Sequence, residues 1–345
     1  MPSRITMADL ARLAGVAPST VSRALNGSPL VNHATRKRIV RLAEKHGYVV
    51  NATASSLRRR ESGALGLVIP LAPSGPQSVS DPFFLEMIGA VTHAATTHGY
   101  DLLVSLPSER GRVSRRRLLS TGRAEGLIVV GQAGRHDRLN ELARQGAPIM
   151  VWGGRLSNQD YVTVGSDNVL GGRLATTHLL MHGRERLLFL GDPDLPEVGL
   201  RYQGFIEAHA QAGLEVRPDQ VRPVAFAGEA AAREVSEVVA AEIAFDGIVA
   251  ASDMLAVSAI HALQSASRRV PEDVAIVGYD NLSLASQISV PLTTVCQDIA
   301  NGGVRLVQGL LEHIAGQTPK SEWTATQLVV RKSCGQGGEM LSHRT

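Results

Sequence analysis

Leu10, Leu13 and Ala14 recur at helical spacing behind Thr6, which stands three residues before Asp9 in the manner of a capping box. This pattern predicts a short first helix that Gly15 ends. After Gly15-Val16-Ala17, Pro18 suits the first position of a second helix over 18–25, stopped by Asn26-Gly27. A third amphipathic stretch runs over about 32–46, with Ile39, Val40, Leu42 and Ala43 as its apolar side, before Gly47-Tyr48. From Leu65 onward the pattern changes. Short apolar runs at 65–70, 101–105, 126–130, 148–152, 186–190, 247–251 and 274–278 alternate with amphipathic stretches such as 83–98, 168–182, 197–213 and 253–267. That alternation predicts parallel sheets wrapped by helices, and the length suffices for two sheets.

The turn between the first two helices is so short that they must cross steeply. Such a crossing needs a small residue at the contact, a glycine in the turn and an apolar anchor on the second helix, and Ala11, Gly15 and Val21 fill those places. This is helix-turn-helix spacing. The second helix then presents Pro18, Ser19, Thr20, Ser22, Arg23 and Asn26 outward, short polar groups and one Arg suited to base edges and phosphates in a major groove. The segment 51–60 that follows is too short and too polar to hold a helix alone, so it is expected to be disordered off DNA and to fold on binding.

Charge supports this division. The 345 residues carry a net +3, but residues 1–60 hold eleven Lys and Arg against Asp9 and Glu44 alone, a charge of +9, which leaves −6 for the remainder. A basic module on a mildly acidic body is the footprint of a nucleic-acid binder, although a solvated basic face has the same signature. No apolar run reaches the roughly 18 residues of a membrane span. Arg4, Asp9 and Arg12 interrupt the N-terminus where a signal peptide needs apolar residues, so a cytoplasmic protein is expected. Cys296 and Cys334 are far apart and have no neighbouring ligand pattern, which predicts plain thiols rather than a disulfide or a zinc site.

In open parallel sheets ligands bind beyond the carboxyl ends of the strands. Ser252-Asp253 and Asp280-Asn281 fall just after such runs, Gln297 follows the segment 292–296, and Arg201 lies early in the helix that follows 186–190. Asp81 and Phe84 open the first helix of the body. A carboxylate beside an arginine suits the paired hydroxyls of a sugar, with an aromatic ring over the apolar face. Each residue alone has a duller reading, a surface ion pair for Arg or Asp and core for Phe84; Trp152 could be a second stacking ring or core. His178 and His182 are four apart on one helical face, yet no third ligand accompanies them, and a structural role is expected. Neither a nucleophile elbow, a phosphate-binding loop nor a dinucleotide fingerprint follows any strand, so neither an enzyme nor a cofactor is indicated.

The residues Ile5 to Ala11, Gly15-Val16, Thr20 to Asn26, Thr35-Arg36, Gly47-Tyr48 and Asn51 to Leu57 together resemble the lactose repressor (LacI/GalR) family, and the resemblance continues over about 5–332. It implies a small all-α helix-turn-helix headpiece (1–50) and a hinge helix (51–61). An α/β core of two doubly wound parallel-sheet subdomains, like the periplasmic binding proteins, follows at 62–335. The N-subdomain is expected at about 62–163 and 291–322, the C-subdomain at 164–290 and 323–335, and a flexible tail at 336–345. The resemblance further implies that Thr6, Pro18, Ser19, Thr20, Ser22, Arg23, Asn26, Asn51, Ala54, Ser55, Leu57 and Arg58 meet operator DNA. Leu57 would be pushed between base pairs to kink the duplex. Arg201 and Asp280 match effector-binding residues, Phe84 matches a ring over the ligand, and Asp81, Ser252 and Gln297 complete the expected cleft. The function implied is a homodimeric repressor of a pseudo-palindromic operator, controlled by a small molecule, most naturally a sugar or sugar derivative. The glycine-rich tail lacks the heptads of a tetramer-forming coil. Ala17 departs from the usual capping serine, a loss of about 1 kcal/mol offset in part by Pro18. Gly153 and Ser252 stand where sugar-binding relatives often carry Asp and Asn.

Overall fold

Thr6 starts helix α1 (Met7–Ala14) by accepting from the Asp9 amide at 3.2 Å, while the Asp9 carboxylate accepts from the Thr6 amide at 3.1 Å. This reciprocal cap satisfies two amides that a helix start otherwise leaves unpaired. Gly15, at φ 63, turns the chain in a left-handed conformation that favours glycine. Helix α2 (Pro18–Leu25) then packs its buried Val21 and Ala24 against Leu10 and Ala11 of α1, and α3 (His33–Lys45) closes the core with Ile39 and Ala43. Arg36 has a structural task within this basic module. Half-buried on α3, it donates to the carbonyls of Ser28 and Val31 and so pins the loop that leads into its own helix.

The computed structural model describes residues 5–25, 28–48, 62–71, 75, 77–106, 118–132 and 134–335. The expected hinge, 51–61, and the tail, 336–345, lie outside them. The chain divides into two units, Met1–Ser62 and Gly63–Thr345.

The larger unit holds two six-stranded sheets. The first takes β1 (Ala64–Val68), β2 (Asp101–Ser105), β3 (Leu127–Val130), β4 (Ile149–Trp152), β5 (Val162–Ser166) and β11 (Glu322–Thr324), in the order β11-β5-β4-β3-β1-β2 and parallel throughout. The second takes β6 (Leu187–Leu190), β7 (Val221–Arg222), β8 (Gly247–Ala250), β9 (Ala275–Asp280), β10 (Thr293–Cys296) and β12 (Gln327–Val329), in the order β12-β10-β9-β8-β6-β7, with only β12 antiparallel. Strands β1, β3, β4, β6, β8 and β9 are buried along their whole length, as expected of parallel strands covered on both faces. Helices α4 (Pro82–Thr97), α5 (His136–Arg144) and α10 (Ile299–Ile314) belong to the first sheet, and α6 (Asn168–Met181), α7 (Pro196–Gln211), α8 (Gly228–Ala240) and α9 (Asp253–Ser265) to the second.

The chain passes between the two sheets after Ser166, between Cys296 and Ile299, and between Thr324 and Gln327. The expected crossings at 163, 290 and 322 fall two to six residues early. The reason is that β5, β10 and β11 each complete their pairing before the chain leaves its sheet, and short strands rich in Thr, Ser and Gly carry little apolar signal.

On α6, His178 is buried with its ring 4.3 Å from that of His182, and among the described residues no group of three candidate metal ligands occurs. Burial, with His182 beside it, pushes the His178 imidazole down to about 4. A depressed folded-state value means that the neutral ring's stability is fully present above the unfolded value near 6.5 and is lost as pH falls through about 4. The urea midpoint should therefore drop between pH 7 and 4, and less steeply in His178→Gln. An identical slope in that variant would exclude this imidazole as a source of the drop.

Candidate functional site

On α2, Pro18, Ser19 and Arg23 are exposed, Thr20 and Ser22 are partly so, and Val21 and Ala24 are buried. One face of the helix therefore holds the small core while the other offers hydroxyls and a guanidinium to solvent. Thr6 is exposed as well, but its hydroxyl donates to the Asp9 carboxylate at 2.6 Å, so capping already uses its proton. Asn26, Asn51, Ala54, Ser55, Leu57 and Arg58 lie outside the described residues.

Within the larger unit, Asp81, Phe84, Arg201, Ser252, Asp280 and Gln297 all line one cavity of about 140 Å³ between the carboxyl ends of the two sheets. Asp81 also caps α4, accepting from the Phe83 amide at 3.0 Å, and Ser252 caps α9, accepting from the Leu255 amide at 3.3 Å. Arg201 is 6% exposed and firmly held: its Nε donates to Asn168 Oδ1 at 2.8 Å, Nη1 donates to the Ala251 carbonyl, and the guanidinium lies 3.7 Å from the centre of the Tyr279 ring. Helix α6 approaches this arginine closely because Gly172 has no side chain; a Cβ there would run into the Arg201 carbonyl.

Asp280 ends β9 at φ 123, a region L-residues rarely occupy, and such strain is concentrated at binding sites. Its carboxyl accepts from Gln297 Nε2 at 2.5 Å, and Gln297 Oε1 accepts from the Ser166 hydroxyl at 2.8 Å. Thr324 in turn donates to the Gln297 carbonyl at 2.6 Å. Ser166, Gln297 and Thr324 sit at the three crossings, so one buried network ties a carboxyl in the cavity to every strand of chain between the sheets. Burial drives the Asp280 carboxyl well above the usual carboxylate range against the pull of Arg201, with Asp253 and Asp81 adding to the rise. Burial likewise pushes Asp253 up to about 7, although it accepts from Thr294 Oγ1 at 2.5 Å and the Leu282 amide at 2.8 Å.

Several lining residues were not among those read from the sequence. Glu197 is the most consequential: on the first turn of α7, its Oε1 accepts at 3.0 Å from the amide of Gln132, which follows β3 in the other sheet. A glutamate near a helix start reads as dipole compensation, and nothing local signals the partner 65 residues away. Trp152 is packed in the core against Gly302 and also lines the cavity; Phe83 and Phe226 add further rings. At Gly153 the space a side chain would use is taken by buried Gln132, which exchanges hydrogen bonds of 2.9 Å with the Gly154 amide and carbonyl. A carboxylate at 153 has no room here.

The profile of bacterial regulatory proteins of the lacI family matches residues 6–51, and that of the periplasmic binding protein-like domain matches residues 176–334. The HTH-type transcriptional regulator CelR of Thermobifida fusca is 31% identical over 339 residues, 96% of this chain and 98% of that protein. The HTH-type transcriptional repressor PurR of Pasteurella multocida (strain Pm70) is 30% identical over 339 residues, 95% and 98% of the two chains. Among solved structures, a CelR–cellobiose complex matches with a TM-score of 0.70 at 30% identity, covering 96% of this chain and 100% of the other. The lac repressor dimer bound to operator and the anti-inducer ONPF shares the fold, with a TM-score of 0.82 at 23% identity over 96% and 99% of the chains. With a relative at this identity along nearly its whole length, a capped helix-turn-helix at its start and two periplasmic-binding-protein-like sheets behind it, the chain belongs to the LacI family of DNA-binding transcriptional regulators, which are not enzymes.

Proposed function

We propose that this regulator is a cytoplasmic homodimeric repressor whose affinity for a pseudo-palindromic operator changes when a sugar or sugar derivative fills the cavity. One observation carries the reading: six residues that stand at strand and helix ends, three of which also match effector-binding positions of the family, are scattered from 81 to 297 and line a single cavity. Arg201 and Asp280 offer directional bonds to hydroxyls, while Phe84 and Trp152 supply apolar surface. The similar CelR structure is a complex with cellobiose, and a relative 29% identical is the ribose operon repressor of Haemophilus influenzae (strain ATCC 51907 / DSM 11121 / KW20 / Rd), which favours carbohydrate. For DNA, the exposed face of α2 and the 51–58 segment are the proposed contacts, and a two-fold operator calls for two copies of each.

Coupling follows from the buried network. A ligand that bonds Asp280 and Gln297 acts on the groups that hold Ser166 and Thr324, and so favours one arrangement of the three crossings over another. A tenfold change in operator affinity requires about 1.4 kcal/mol of difference in ligand binding between the two arrangements. The reading is tested by heating the full chain with sugars, sugar acids and nucleosides, then measuring operator binding with each compound that raises the melting temperature. The expected result is at least one sugar that both stabilises the chain and shifts operator affinity at least tenfold. Stabilisation by nucleosides alone would replace the sugar reading.

A further inference from the structure

We propose that the cavity selects an uncharged polyhydroxylated ring over its anionic derivatives, and that Glu197 is the residue that sets this discrimination. The inference rests on the sugar reading above and narrows it to a charge class.

Three carboxyl groups, Asp81, Glu197 and Asp280, line the cavity against a single guanidinium, Arg201. That guanidinium is already engaged by Asn168 Oδ1, the Ala251 carbonyl and the Tyr279 ring, and no Lys, His or second Arg lines the cavity among the described residues. A phosphate or sugar-acid carboxylate entering here meets the carboxyls of Asp81 and Glu197 and the buried Asp280, which favours its neutral form and so supplies no countercharge, and in a cavity lined by Phe84 and Trp152 repulsion is less screened than in water. Sugar hydroxyls face no such barrier, because each can donate to a carboxyl oxygen and accept from an N–H.

Glu197 decides the balance because of where it is fixed. It lies four residues before Arg201 on the same face of α7, so it shares the offset of that arginine with Asp280, and of the two it is the ionised one. Burial raises this carboxyl, but its Oε1 is held by the Gln132 amide across the cleft and the Arg201 charge acts on it, and both favour the ionised form where the two sheets meet around a ligand. Without it the lining would hold two carboxyls and one guanidinium.

The test uses the full chain at pH 7.5 and three matched pairs: cellobiose with cellobionate, glucose with glucuronate, and ribose with ribose 5-phosphate. Melting temperature is followed against concentration. The neutral member of at least one pair should stabilise the chain, and its anionic partner should need at least about a hundredfold higher concentration for the same shift. In Glu197→Gln the amide oxygen can still accept from Gln132 while the charge is gone, and the ratio should shrink about tenfold. A ratio unchanged in that variant overturns the role of Glu197, since a purely structural part would alter the melting temperature and not the ratio. An anionic member that binds as well as its neutral partner overturns the charge rule and leaves the sugar reading standing. No shift with any of the six sugars overturns the sugar reading itself.

Discussion

An Arg201→Ala chain should bind its ligand at least a hundredfold more weakly, and the ligand should no longer shift its operator affinity. The side chain is 6% exposed and has three partners within the protein, so its removal does more than delete a ligand contact. Asn168 Oδ1 and the Ala251 carbonyl lose their donors, and an unsatisfied buried polar group costs about 1–3 kcal/mol. Asp280 and Glu197 lose the only cation that lines their cavity among the described residues, which raises the cost of either carboxylate ionising. Thermal stability should fall alongside affinity. Arg201→Lys separates the two contributions, because it keeps the charge but not the planar fork that bonds Asn168 and Ala251 together. Titration calorimetry with whichever sugar stabilises the parent chain provides the measurement. Parental affinity in Arg201→Ala would remove the arginine from the binding site.

The second large effect is expected at Val21. This side chain is fully buried, one of the eight buried residues that form the headpiece core among the described residues, in a unit small enough to be marginally stable. An aspartate there must bury an unpaired carboxylate or open the core, at a cost of several kcal/mol that exceeds what so small a core supplies. Operator binding, followed by fluorescence anisotropy, should fall more than about a thousandfold. The ligand-induced rise in melting temperature should persist, because residues 63–345 have core clusters of their own. Arg23→Ala is the contrasting case: exposed on α2, it should leave the fold intact and weaken operator binding by about 1–3 kcal/mol. Near-parental operator affinity in Val21→Asp would mean that DNA recognition does not depend on this helix pair.

Much of this architecture was legible because it is local. The Thr6–Asp9 cap, the Gly15 turn and the span of α2 each depend on residues within four positions of one another, and all stand in the structure where the chain implies them. The seven apolar runs of the body became strands, six of them because a fully buried parallel strand must be apolar along its length, while β2 at the sheet edge is only partly buried. Elements lacking that continuity, such as β5 with Thr163 and Gly165, or β12 at the sheet edge, left no comparable trace, and the crossings placed by the family resemblance, without that trace to correct them, came early.

Sequence alone determined that a basic helix-turn-helix module precedes a two-sheet body, and which strand and helix ends could supply a ligand's polar partners. Tertiary structure decided what those ends build together. Only folding sets Glu197 against the Gln132 amide, fills the space beside Gly153 with Gln132, and links Asp280 through Gln297 to Ser166, 131 residues from that glutamine. It also drew Arg36 from the pool of basic residues into the support of a loop. The physical reason is common to the first three. Periodicity and capping energies act within one or two turns of chain, whereas a buried hydrogen bond or a displaced side chain depends on which distant segments packing brings together.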